Sequence, residues 1–426
     1  MRTTTTYDRD FRLTNSIVRQ TTRRFFRFLG SAIIFSVIAL FVGAAKASTT
    51  EIIYSFGGGA DGEYLDTDVA IDAAGNLYGT SVLGGTFGGG TVWQLSPVGN
   101  GWVNTVLYNF TGDADGGEPY KGVTLDAAGN LYGTAVTGGS GSCEGGCGVT
   151  YKLTKSGSTW TQNVIHSFTG ADGSGPGSRV TVDNNGNVYG MTPTGGDFGL
   201  GTIYALRRKS NGTWAFKVIH HFTGGSDGSS GSAGRMVFRG GHLYGAATTG
   251  GDFGHGVVFE LKPRASGEWG FRTLYAFQGS PDGSFPYGAL LFDGAGNVYG
   301  TTYYGGDNDL GVAYRLTRNG GSWTEQVLYS FKAGQDGNSS ISNLVSDSAG
   351  NLYGTTSEGG LGSGTIFQLT PNQSGGWTET VPHLFANTPD GAFPYAGMVG
   401  NRSNVFFGAT VHGGADGEGA IYKFTP

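Results

Sequence analysis

The strongest constraint on this chain is one aromatic residue that returns at nearly constant intervals. Within an aromatic-glycine core it falls at Tyr78, Tyr132, Tyr189, Tyr244, Tyr299 and Tyr353, with Phe407 in the seventh place. The steps are 54, 57, 55, 55, 54 and 54 residues. A phenylalanine closing a second motif keeps the same interval at Phe56, Phe110, Phe168, Phe222, Phe277, Phe331 and Phe385. Self-similarity at a period near ~50 residues means an array of supersecondary units, not a set of unrelated domains. Glycine supplies 82 of the 426 residues, far above the ordinary ~7%. Disordered chains are poor in aromatics, and this one holds 13%, so the glycines read as turn chemistry repeated many times.

The fifth unit shows the local plan. Ala289 to Asp293 is a short apolar run, Gly294-Ala295-Gly296-Asn297 is a turn cluster, and Val298 to Thr302 is a second run, which together read as a β-hairpin. A loop around Gly305-Gly306 leads to a third strand at Gly311 to Leu316, and Asn319-Gly320-Gly321 to a fourth, Trp323 to Phe331. No window holds a 3.6-residue period, which leaves little room for helix. The third strand carries Trp93, Tyr151, Tyr204, Phe259, Tyr314, Phe367 and Tyr422 at one position. Two residues later stand Leu95, Leu153, Leu206, Leu261, Leu316, Leu369 and Phe424, on the same face by the two-residue period of strands. The residues between them vary and are mostly polar. A sheet with one such apolar ladder must be covered by a neighbour of the same kind.

Seven units of four strands predict an all-β, seven-bladed β-propeller with four antiparallel strands per blade. The ends agree with a ring. Residues 51–56 form a fourth-strand motif with no first three strands before it, and the last unit stops after its third strand at Phe424. The orphan strand therefore completes the last blade, which removes two open edges. The unit D-x-A-G-N-L-Y-G-T-T-x-x-G-G followed by G-T-V-F-x-L resembles the GloVer tandem repeat of bacterial exported proteins, across residues 51–426. That resemblance implies export and a propeller-like array, and it brings no assigned reaction. Weaker similarities exist to kelch units, in the glycine doublet, and to NHL units, in the D-x-x-G-N hairpin. The fourth unit departs with Arg239-Gly240-Gly241-His242 and the seventh with Gly400 to Asn404, so both hairpins are expected to differ in shape.

Residues 1–47 stand outside the repeat. They hold eight basic and two acidic residues and an apolar run from Phe28 to Ala45. Ala45-Lys46-Ala47 has the small-x-small form of a signal-peptidase site, which predicts a mature chain from Ser48. Thr22-Arg23-Arg24-Phe25-Phe26 resembles the twin-arginine export signal, although Arg27-Phe28 replaces the usual Leu-Lys. Uncleaved, the same run would be an N-terminal membrane anchor. Either way the repeats of residues 48–426 face the outside: periplasm, cell surface or medium. Without the leader, 18 basic and 30 acidic residues remain, a net charge of −12. Such a surface repels phosphate backbones and argues against nucleic acid as a partner.

In a symmetric array, chemistry is expected where the blades differ. Every unit has an Asp-Gly pair after its fourth strand, at Asp61, Asp115, Asp172, Asp227, Asp282, Asp336 and Asp390. Turn chemistry explains the pair better than Ca²⁺ does, and only Asp113-Ala114-Asp115 approaches an alternating ligand run. His166, His220 and His383 occupy a place filled by tyrosine in other blades and read as structural. Cys143 and Cys147 lie in one insertion and read as a disulfide closing a small loop, worth roughly 2 kcal/mol in the chain-entropy model. Ten residues before the core aromatic lie Asp68, Gly122, Arg179, Ala289, Asn343 and Gly397, with Arg235 equivalent if the fourth hairpin is one residue shorter. Arg179 and Arg235 then become neighbours at the channel mouth with Lys121 close by; the pair could clamp a carboxylate or sulfate, but pairing of each arginine with a nearby Asp loop is the more ordinary arrangement. No catalytic residue, nucleophile–base pair or zinc signature stands above the repeat pattern. The expectation is an exported, non-catalytic protein that binds an extracellular glycan or protein, without a cofactor. The alternative is a secreted lyase or hydrolase acting on carbohydrate at the channel mouth.

Overall fold

A computed structural model describes residues 47–229, 231 and 234–426; the leader lies outside the described residues. Seven four-stranded antiparallel sheets follow one another, the first six running in chain order from a short inner strand to a long outer one. In the first blade these are Ala70–Ile71, Leu77–Ser81, Thr91–Val98 and Gly101–Asn109. The seventh is Val399–Gly400, Phe406–Thr410, Ala420–Thr425 and then Thr49–Ser55, supplied from the start of the repeat array. Ile52 pairs with Tyr422 and Glu51 with Lys423 in that closing ladder. The protein is a seven-bladed β-propeller with a ring closed by its first strand.

The core lies between blades. Phe56, Leu77, Trp93 and Leu95 pack with Phe407 and Ile421 in one buried cluster, which joins the seventh blade to the first. Equivalent clusters occur at the other interfaces, so each sheet buries its third-strand ladder against the blade before it. All seven ladder aromatics are at most 1% exposed. The glycine after each core aromatic makes room for them. A Cβ on Gly79, Gly133, Gly190, Gly245, Gly300, Gly354 or Gly408 would run into the ladder ring of its own blade.

Two hydrogen-bonded networks repeat around the ring. In the hairpin, Asp72 accepts from the backbone N–H of Asn76 at 2.9 Å, the Asn76 side chain at 2.8 Å and the Tyr78 hydroxyl at 3.0 Å. Asp126, Asp183, Asp293 and Asp347 do the same in their blades. In the fourth blade a two-residue turn at Gly240-Gly241, both with positive φ, removes this aspartate. Glu260 on the third strand replaces it, accepting from the Tyr244 hydroxyl at 2.9 Å and pairing with His242 at 2.6 Å. The seventh hairpin, expected to differ, keeps the common shape. Asn401 accepts from Val405 N–H at 3.0 Å as the aspartates do, and Asn404 takes the left-handed glycine position at φ 55°. Phe407 there has no hydroxyl, so nothing demands a carboxylate.

In the second network each Asp-Gly aspartate ties the outer strand to the following loop. Asp61 accepts from the Tyr54 hydroxyl at 3.0 Å and the Gly57 N–H at 3.1 Å. His166, His220 and His383 bond through Nε2 to Asp172, Asp227 and Asp390 at 2.9, 3.0 and 3.0 Å, standing in for tyrosine as donors. Asp115 accepts from the Tyr108 hydroxyl at 2.9 Å and the Thr111 N–H at 3.0 Å, while Asp113 is exposed. Among the described residues no cluster of three His, Cys, Asp or Glu side chains could hold a metal. Cys143 and Cys147 are joined by a disulfide, with their Cα atoms 5.1 Å apart.

Candidate functional site

The loops after the fourth strand and between strands two and three share one face, where Glu63, Ser174, Ser229 and Asn338 bridge to Leu83, Thr194, Thr249 and Glu358. At the centre of this face the channel opens into a cavity of about 670 Å³. Its walls are uneven. Tyr120, Tyr287 and Tyr395 project from the segments that enter the inner strands of blades two, five and seven, and Tyr303 and Tyr304 from a loop of blade five. A two-stranded ribbon, Gly283–Ser284 with Tyr304–Gly305, holds that last loop in place. Tyr287 and Tyr303 meet edge to face at 5.9 Å, as do Tyr303 and Tyr304 at 4.5 Å. Burial, helped by the nearby Glu118, Tyr64 and Asp66, raises the Tyr120 hydroxyl above its usual value; burial and Tyr303 do so for Tyr287. These phenols stay protonated and act as hydrogen-bond donors and acceptors across ordinary pH.

Charged groups stand among the tyrosines. Lys121 has a left-handed backbone at φ 59°, where equivalent residues of the other described blades do not. Its ammonium meets Asp66 at 2.5 Å with 24% and 11% of the two side chains exposed. Burial works against that charge, but Asp66 and then Asp68 hold the ammonium above its ordinary value. Glu358 lies exposed on the rim from blade six.

Below the mouth the channel narrows to a neck of about 200 Å³. Asp68, Ala289 and Asn343 line both spaces, and Arg179 and Arg235 line the neck. The fourth hairpin is indeed the shorter one, which places Arg235 beside Arg179 across the boundary of blades three and four. Arg179 donates from Nε to the Thr124 hydroxyl at 3.1 Å. Burial, together with the repulsion of Arg235, pulls the Arg179 guanidinium down to about 9, against the attraction of Asp68. Arg235 is also lowered by burial and supported by Asp68. Both remain cations at neutral pH. Among the described residues neither forms a salt bridge, and Asp68 itself accepts from the Gly397 N–H at 3.3 Å. Asp68, Arg179 and Arg235 are thus together in the neck, while Lys121 stands above them in the mouth and not beside the arginines.

No motif marks Tyr120, Tyr287 or Tyr395. The signal of these three is positional: five residues past each Asp-Gly aspartate the chain reads Asp66, Tyr120, Gly177, Tyr287, Ile341 and Tyr395 in the blades with equal spacing. That column varies between blades, from aspartate and glycine to isoleucine and tyrosine.

The Gloeobacter/Verrucomicrobia repeat profile matches residues 39–259, 140–333 and 232–426 in overlapping stretches. The chain belongs to this repeat family. Among solved structures, a Bacteroides uniformis protein provisionally assigned as a 6-phosphogluconolactonase superposes with a TM-score of 0.51 at 14% identity, covering 79% of this chain and 88% of that one. A Lactobacillus plantarum protein gives 0.50 at 13% identity, over 82% and 99%. At such identities the likeness is one of fold alone. No curated protein is matched by the sequence. Within this Gloeobacter/Verrucomicrobia repeat protein, fold and mouth geometry therefore carry the functional reading.

Two perturbed carboxyls lie elsewhere. Burial pushes Glu325 up to about 7, with Asp282 adding repulsion, and Glu379 up to about 8, with Asp336 beside it. Both belong to outer strands, and neither lines the mouth. A raised folded pKa contributes stability that is fully present below the unfolded value and is lost as pH rises through the folded value. Wild-type stability should therefore decline between about pH 5 and about pH 8 from these groups. Glu325→Gln with Glu379→Gln is expected to flatten that decline, by about 1 kcal/mol per site after allowing for partial exposure. Urea midpoints measured across this range would check it; parallel curves for variant and wild type would refute the assignment.

Proposed function

We propose that this protein is an exported, non-catalytic binding protein whose ligand is a glycan seated in the tyrosine-walled mouth of the propeller. The carrying observation is the break in symmetry: five tyrosines from three blades converge on one cavity in an otherwise uniform array. Sugar rings present apolar C–H faces and hydroxyl edges, and tyrosine offers a ring and a hydroxyl to match both. Phe87, Phe198, Phe253 and Leu361, each more than half exposed, stand on the strand two-to-three loops of the same face and extend its apolar contact area. Export is supported by the basic-then-apolar leader of residues 1–47 and its small-x-small site. A non-catalytic role is supported by the location of Glu325 and Glu379, since the carboxyls best tuned for proton transfer lie outside the cavity.

The reading is tested by native electrophoresis through gels containing individual plant and microbial polysaccharides. Wild-type protein should be retarded by at least one of them, and Tyr287→Ala or Tyr395→Ala should weaken retention about tenfold. Loss of retardation in neither variant would remove the mouth from consideration. One observation favours a secreted lyase or hydrolase instead: Asp68, Lys121, Arg179, Arg235 and Glu358 bring charge from five blades toward one channel. Prolonged incubation with the retarding polysaccharide separates the two, because a binding protein leaves its chain length unchanged.

A further inference from the structure

We infer that the Arg179–Arg235 pair is an oxyanion site, and that the glycan held at the mouth is therefore an acidic one whose acid group descends into the neck. This rests on the reading of the mouth as a glycan site and adds the class of sugar.

Charge is out of balance in the confined space of the neck. Lys121 is already matched by Asp66. Among the described residues Asp68 is the one carboxylate lining the neck with Arg179 and Arg235, and it attracts both guanidiniums, so two cations face one anion and one positive charge is left over. Most of the remaining lining of the neck is apolar, Ala289, Leu290, Leu344 and Met398 among it, which makes water a poor substitute for a counter-charge. The Asn343 amide that also lines it is committed to the Met398 carbonyl at 3.2 Å. Like charges held side by side raise the energy of the empty site, and an incoming oxyanion lowers it. Guanidinium forks suit carboxylate and sulfate alike, through paired N–H donors. The neck and mouth share Asp68, Ala289 and Asn343 as walls, so one ligand can rest its ring among the tyrosines and place its acid group below. The sequence supports the same selection: arginine occupies this ring position in blades three and four only, where other blades carry Asp68, Gly122, Ala289, Asn343 and Gly397.

Calorimetric titration of the intact protein with oligogalacturonate, its methyl ester and a sulfated neutral galactan oligosaccharide provides the test. The expected result is that at least one acidic probe binds about tenfold or more tighter than the uncharged ester, and that Arg179→Gln or Arg235→Gln removes the difference. Preference for the sulfated probe over the uronate would keep the oxyanion site and make sulfate its occupant. Equal affinity for acid and ester would overturn the inference while leaving the glycan reading intact. Absence of binding by all three, with no polysaccharide retarded in gels, would overturn both. If the glutamine variants fail to fold, the acid-to-ester ratio of the wild-type protein decides alone.

Discussion

Deleting Glu51 to Phe56 is expected to lower the melting temperature by about 10 °C or more, or to leave the protein aggregated. The segment lies far in sequence from its partners, yet it forms the outer strand of the seventh blade, with Thr49–Ser55 against Ala420–Thr425. Phe56 is fully buried and its ring sits 5.4 Å from that of Trp93. Loss of one such phenylalanine costs about 3–5 kcal/mol. The deletion also removes the Tyr54–Asp61 bond and leaves Ala420–Thr425 as an open edge at the seam of the ring. Differential scanning calorimetry would measure the effect. A deletion variant that melts with the wild type would mean that the ring closes without this strand.

Gly354→Ala is the second large effect, expected at about 2–3 kcal/mol. The added methyl would meet the ring of Phe367, which is fully buried and fixed between blades. Neither can yield easily, because the ring packs in a close-packed interface and the glycine lies mid-strand in Leu352–Thr356. Gly294→Ala is the matched control: it has open space around its Cβ and no left-handed backbone, so its change should stay within about 0.5 kcal/mol. Urea denaturation of the two variants side by side reads the difference. Equal midpoints would show that the glycine of the core motif is not there to admit the ladder ring.

The closing strand and the core glycine differ in how far the sequence alone reveals them. The closing strand could be read from phase alone, because a unit missing its fourth strand and an orphan fourth strand add up to one blade. The glycine could be seen as constant but not explained, since its neighbour in space, Phe367, lies thirteen residues away on the next strand. The same holds for the hairpin aspartates. Asp72 and Tyr78 recur together, but their hydrogen bond needs a turn that brings positions six apart into contact. Where the pattern failed in the fourth blade, Glu260 from another strand took over, which no local motif announces. Expecting the seventh hairpin to change shape overlooked that Asn401 accepts the same backbone bonds and that Asn404 tolerates the left-handed region.

By itself the sequence determined the architecture: repeat period, strand count, circular phase and the apolar ladder all follow from one-dimensional spacing. It also placed Arg179 and Arg235 at equivalent positions of adjacent blades. The tertiary structure alone decided what surrounds them. Closing a ring brings seven distant segments to one axis, and only there do Tyr120, Tyr287, Tyr303 and Tyr395 share a cavity, and only there does Asp68 from the first blade face two arginines from the third and fourth. Spacing along a chain fixes which residues are equivalent, but contact across a channel depends on closure, and closure is a property of all seven blades together.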